Sequence, residues 1–244
     1  MSLLEKKISS DTLFNGRVSC AQHQKGYRFA VDAVLLGHFV APAPGWSLLD
    51  LGAGCGVVSL ILAHRHPAVT ITCVELQADL VGLIQHNIRT NNLENRLSVR
   101  PGDVAHIHKI VEPESMDLVV CNPPYGQVAA GRLNRGEEQA IARHEVRGRV
   151  IDFVRAAAYG VKNRGRAAFV FPAARLAYLF SALQEVRLEP KRLQLVHSYP
   201  QAPGRLLLVE AVKNGGEELQ ILPPLYIYDA PGGEYSPAMA AMFS

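Results

Sequence analysis

The segment Asp50-Leu51-Gly52-Ala53-Gly54-Cys55-Gly56 lies between an apolar run, Trp46–Leu51, and a helical pattern, Val57–Arg65. Glycines at a strand-to-helix turn let a ligand approach the backbone at the carboxyl end of the strand. The spacing is GxGxG, not the GxGxxG of dinucleotide sites, and Val57 holds the place of that motif's third glycine. Asp50 stands just ahead of the glycines, where its carboxylate would repel a diphosphate and favour a cation. S-adenosylmethionine, with an ammonium, a sulfonium and no phosphate, suits these residues; a purely structural tight turn is the bland alternative. Two more acids follow at strand ends. Glu75 closes the run Thr70–Glu75, where a carboxylate would accept bonds from two ribose hydroxyls. Asp103, in Arg100-Pro101-Gly102-Asp103, is placed to accept from an adenine amino group or to cap a helix starting at Val104.

A second motif, Asn122-Pro123-Pro124-Tyr125, ends the apolar run Met116–Cys121. Two prolines continue neither a helix nor a central strand, so they hold a rigid turn. That turn presents the Asn122 side-chain oxygen, the Pro123 carbonyl and the Tyr125 ring. An exocyclic amino group conjugated to a ring is a poor nucleophile. Two acceptors on its N–H bonds would favour the charge that develops when it is methylated. Tyr125 offers a flat face for a planar substrate. The bland reading here is a simple Asn-Pro turn.

These motifs need a frame. Strands are expected at Trp46–Leu51, Thr70–Glu75, Leu97–Arg100, Met116–Cys121 and Arg166–Pro172. Helical patterns lie between them at Val57–Arg65, Gln77–Asn91 and Ile151–Val161, with another at Arg175–Val186. Two further strands, Leu193–Ser198 and Leu206–Val212, are separated only by a Pro200–Gly204 turn and are expected to be antiparallel. The alternation implies an α/β fold with a mostly parallel sheet and helices on both faces. At 244 residues one domain is expected, with 1–45 as an N-terminal cap segment and 46–244 as the catalytic core.

The stretches LDLGAGCG, VE75, GD103 and CNPPY125 resemble the class I, S-adenosylmethionine-dependent amino-methyltransferases. With KGYRFAVDAVLLGHF (25–39) and GEYSPAMAAMF (233–243), the chain resembles the bacterial tRNA adenine N6-methyltransferases that modify the base beside a valine anticodon. The resemblance implies a Rossmann-like, seven-stranded sheet with one antiparallel strand. It implies S-adenosylmethionine as cofactor, S-adenosylhomocysteine as product and an RNA partner, tRNA first among them. Cofactor contacts would come from Asp50, Gly52, Ala53, Gly54, Gly56, Glu75, Leu76, Gly102, Asp103, Val104 and Asn122. Catalysis would fall to Asn122, Pro123, Pro124 and Tyr125. A protein glutamine or the N2 of a ribosomal guanine are alternative acceptors, because related enzymes share NPPY or a close variant. A binding protein without turnover is the alternative outside enzymology.

On the substrate side, Lys25, Tyr27 and Arg28 alternate charge and ring, and Arg132, Arg135 and Arg143 follow NPPY. Phosphate contact is one reading of these residues, a solvated charge-mixed loop the other. Asp32 reads as a cap for the helix Ala33–Val40. A formal charge of +3 permits a nucleic-acid partner without requiring one. The four cysteines form no CxxC pair and the nine histidines show no ligand spacing, so no metal is expected. No apolar run reaches the roughly 18 residues of a membrane span, and the N-terminus lacks an export signal, so a cytoplasmic protein is expected.

Overall fold

The computed structural model describes residues 8–24, 31–124 and 150–244. Tyr125, Lys25, Tyr27, Arg28, Arg132, Arg135 and Arg143 therefore lie outside the described residues.

The element order begins with β1 (Ile8–Leu13), β2 (Val18–His23) and α1 (Val31–Phe39). Strand-helix alternation follows: β3 (Ser47–Leu51), α2 (Val57–Arg65), β4 (Thr70–Glu75), α3 (Ala78–Thr90), β5 (Leu97–Pro101) and β6 (Met116–Cys121). Helix α4 covers 150–160. Then come β7 (Val161–Pro172), α5 (Leu176–Glu185), β8 (Leu188–His197), β9 (Gly204–Lys213) and two-residue strands β10 (Gln220–Ile221) and β11 (Leu225–Tyr226).

The main sheet has the order β10-β8-β9-β7-β6-β3-β4-β5, with β11 also on β8. Seven long strands make its body. Among them only β9 is antiparallel to its neighbours, pairing that way with both β7 and β8. The structure thus adds two short edge strands to the seven expected. The strands β3, β4 and β6 are apolar on both sides because both sides are covered. One face packs Leu48, Ile71, Leu118 and Val120 against α1, α2 and α3. The other packs Leu49, Leu51, Val119 and Phe169 against α4 and α5. The strand order reverses at β3, where β4 lies on one side and β6 on the other. In open α/β sheets ligands bind at that crevice, beyond the carboxyl ends of the strands.

The N-terminal segment differs from a simple cap. β1 and β2 form their own antiparallel hairpin, and α1 belongs to the main core, with Leu35 and Leu36 fully buried. The hairpin turn uses Asn15 (φ 54°) and Gly16 (φ 85°), an Asn-Gly pair suited to positive φ. Asp32 lies within the first turn of α1 and not ahead of it, since the helix starts at Val31. β8 begins earlier than expected, at Leu188: Pro190 falls where the β8–β9 register shifts, so the sheet tolerates its missing N–H. The cations near the start of β7 find acids: Lys162 pairs with Asp117 at 2.6 Å, and Arg166 with the buried Glu210 at 3.3 Å. Among the described residues no helix is long and apolar enough to cross a membrane. Nor do they group three or more His, Cys, Asp or Glu as a metal site would.

Candidate active site

The glycine loop leaves β3 and enters α2 with Gly52, Gly54 and Gly56 at φ 67°, 62° and 84°. Positive φ at three alternate positions curls the chain tightly, and only glycine adopts it without strain. Gly52 has a second reason. A Cβ there would lie 2.8 Å from Cε1 of Phe153 in α4. Gly52→Ala is therefore expected to cost about 1–3 kcal/mol of stability, read as a lower urea midpoint at unchanged m-value. The loop is tied to β4 through Gly52 N–H and Ala53 N–H, which both donate to the Val74 carbonyl at 2.8 and 3.1 Å.

Glu75 ties it further. One carboxylate oxygen accepts from Gly54 N–H and the other from Gln77 N–H, each at 2.9 Å. The side chain is buried. Each oxygen keeps a further lone pair, so the carboxylate has capacity for two hydroxyl donors. Asp50 lies beneath the loop, 2% exposed, and accepts from Ser59 Oγ at 2.7 Å. Burial pushes its carboxyl up to about 7, against the Ser59 hydrogen bond, and the charge of Glu75 adds to the rise. A buried acid under this strain is favoured in its charged form by a cation brought close. Asp103 accepts from Ala105 N–H at 3.0 Å and caps the 3-10 turn Val104–Lys109. The capping reading of Asp103 is thus realised, and its second oxygen is not used in that bond. Gly102 N–H donates to the Glu75 carbonyl at 3.0 Å, so the two acid-bearing strand ends are joined. Leu76, beside Glu75, is 64% exposed, an apolar side chain at the rim of the acids.

The register Leu51↔Cys121 between β3 and β6 sets Gly52 beside Asn122 at the same sheet edge. Adjacent strands lie about 4.8 Å apart, so the proline turn opens onto the mouth of the glycine loop. Asn122 is half-buried, Pro123 buried and Pro124 exposed. Sequence reasoning missed Ser59, the partner of Asp50, and Asn87 of α3, whose Nδ2 donates to the Cys55 carbonyl at 2.9 Å. Asn87 had a visible signal: an amide on the stripe Leu80, Leu83, Ile84, Ile88 that is otherwise apolar.

The family model of the methyltransferase small domain matches residues 30–143. A tRNA1(Val) (adenine(37)-N6)-methyltransferase from Haemophilus influenzae is 28% identical over 212 residues, 86% of this chain and 87% of the relative. One of the same name from Vibrio campbellii is 27% identical over 183 residues, 71% of this chain and 74% of the relative. Among solved structures, a predicted O-methyltransferase from Agrobacterium tumefaciens superposes with a TM-score of 0.71 at 21% identity, covering 86% of this chain and 94% of that one. P. horikoshii TYW2, in complex with MeSAdo, gives 0.60 at 15% identity, covering 86% and 73%.

The chain has the fold of the class I methyltransferases. The chain carries its glycine loop and its acids on or just after β3, β4 and β5, one side of the strand-order reversal, and its proline turn after β6, the other. Residues 30–143, matched by the family model, contain all of these positions.

Proposed function

We propose that this methyltransferase uses S-adenosylmethionine to methylate N6 of an adenine in a tRNA anticodon loop, in the cytoplasm, and releases S-adenosylhomocysteine. The observation that carries the reading is the β3–β6 register, which sets the glycine loop beside the Asn122-Pro123-Pro124 turn. Support for the RNA acceptor comes from the similarity to tRNA1(Val) adenine-N6 enzymes over most of both chains.

The donor set fits the cofactor. Asp50 and Glu75 are acceptors held under the loop, Gly52 has no room for a side chain, and Leu76 is an exposed apolar flank. When bound, the cofactor supplies an electrophilic methyl group on a sulfonium. Glu75 would hold the ribose hydroxyls, Asp103 and Leu76 the adenine, and Gly52 to Gly56 would pass close to the amino-acid end. Ala53, Gly102 and Val104 would complete the lining. Asn122 Oδ1 and the Pro123 carbonyl would accept the two N–H bonds of the target amine. That aligns its nitrogen and stabilises the positive charge it gains. The proton then becomes acidic and passes to water, so no strong base is required. Tyr125 would stack on the base, which is more easily flipped from a loop than from a stem. Lys25, Tyr27, Arg28, Arg132, Arg135 and Arg143 would meet the RNA backbone.

Binding is the first test. A ligand that binds only the native fold stabilises it by RT ln(1 + [L]/Kd), about 2.7 kcal/mol at a hundred times Kd. Millimolar S-adenosylhomocysteine is expected to raise the Tm by about 5–10 °C. No shift with either that product or S-adenosylmethionine would overturn the cofactor assignment. For the RNA side, tRNA affinity is expected to fall as salt rises. The slope should flatten when Arg132, Arg135 and Arg143 are replaced together. A slope equal to wild type would remove those arginines from the RNA surface.

A further inference from the structure

β1 pairs with one edge of β2. The other edge of β2 presents the N–H and C=O groups of Ser19 and Ala21, which would be costly to bury unpaired. Among the described residues no third strand pairs there; α3 lies alongside instead. Asn91 Oδ1 accepts from Ser19 N–H at 2.9 Å, and its Nδ2 donates to the Ser19 carbonyl at 2.7 Å. One helical turn earlier, Asn87 does the same for Ala21: Oδ1 accepts from its N–H at 2.7 Å and Nδ2 donates to its carbonyl at 3.0 Å. The periods match, because four helical residues rise about 6 Å and two strand residues about 6.7 Å. Two side-chain amides thus stand in for a neighbouring strand.

The two asparagines differ in one respect. The remaining Asn91 donor goes to the Asn87 carbonyl, within α3, at 2.7 Å. The remaining Asn87 donor goes to the Cys55 carbonyl in the glycine loop, at 2.9 Å. At the same place the Cys20 thiol of β2 meets the Cys55 thiol at 3.7 Å. The loop is therefore held from two sides. Glu75 holds the Gly54 N–H, and Asn87 holds the carbonyl of the next residue.

We propose that Asn87 is a positioning residue for the cofactor loop, and that through it the N-terminal hairpin is part of the cofactor site. The inference rests on the cofactor reading above. Asn87 is 1% exposed and acts on the ligand only through the loop it fixes. Asn91 grips the same hairpin without touching the loop and so separates positioning from general stability.

The test compares wild type, Asn87→Ala and Asn91→Ala by calorimetric titration with S-adenosylhomocysteine, by thermal melting and by steady-state methyl transfer. Both variants are expected to lose about 3–8 °C in Tm, since each unpairs buried backbone groups of the hairpin. Only Asn87→Ala should weaken the Kd, by about tenfold or more. Its KM for S-adenosylmethionine should rise in step, while kcat at saturation stays within about threefold. Asn91→Ala should keep the wild-type Kd within about threefold. If Asn87→Ala does not fold, Asn87→Ser carries the same titration, its hydroxyl being small enough for the site. Equal Kd changes in the Asn87 and Asn91 variants, or a wild-type Kd in Asn87→Ala, would overturn the proposal while leaving the cofactor reading intact. A wild type that binds neither cofactor nor product would overturn both.

Discussion

Asn122→Ala is expected to lower methyl transfer about 10²–10³-fold while S-adenosylhomocysteine affinity stays within about threefold. The size follows from removing one preorganised partner of a charge that forms in the transition state. The side-chain oxygen of Asn122 stands on a turn that Pro123 and Pro124 stiffen. Its position next to Gly52 is set by the Leu51↔Cys121 register and not by the side chain itself. The substitution should therefore leave the loop and its ligand in place. Activity and product affinity measured on one preparation decide the matter. Equal loss of both would make Asn122 part of the cofactor site's structure and remove it from the chemistry.

The second large effect concerns Asp50 and pH. Its carboxyl, ordinarily at 3.8, is pushed up to about 7 in the fold, first by burial and then by Glu75, against the Ser59 hydrogen bond. The unfolded chain releases this proton near 3.8, whereas the folded chain keeps it to about 7. Between those values the folded state binds more protons, so the stability from Asp50 is complete below about 4 and is lost as pH rises to 7. Each unit is 1.36 kcal/mol, which gives about 4 kcal/mol across the window. Asp50→Asn carries no such charge. The stability of that variant relative to wild type, without ligand, is expected to grow from pH 4 to 7 and then level. Parallel stability curves for the two proteins would contradict the buried-charge account. A cationic ligand reverses the balance by favouring the charged form. Wild-type affinity for S-adenosylmethionine should accordingly climb towards pH 7, and that of Asp50→Asn should remain weaker and nearly flat.

Much of this site was legible from residue types alone. The boundaries of α2, β4 and β6 coincide with their apolar patterns, because strands covered on both faces have to be apolar throughout. Glu75 and Asp103 stand at strand ends as the sequence suggests, and Gly52 to Gly56 form the expected turn. What was not legible is long-range pairing between polar groups. Nothing local to Ser59 announces Asp50, and nothing local to β2 announces that α3 will supply amides for its open edge. The hairpin itself had a local sign, Asn15-Gly16, but its strand Val18–His23 lacks the alternation of a half-exposed strand, since almost all of it is buried. Pro190 likewise hid the first residues of β8, and only the shifted register explains why a proline is accepted there. The sequence also offered two roles for Asp103. The fold realises the capping one, through the bond from Ala105 N–H.

The most direct test of the central claim is to incubate the protein with isotopically labelled S-adenosylmethionine and separate pools of tRNA, ribosomal RNA, DNA and release factor. The products are then digested for nucleoside and peptide mass analysis. The account predicts labelled N6-methyladenosine from the tRNA pool, absent when Asn122→Ala replaces the wild type. Label found only in a guanosine, in DNA or in a glutamine side chain, with tRNA adenosine unmodified, would contradict it.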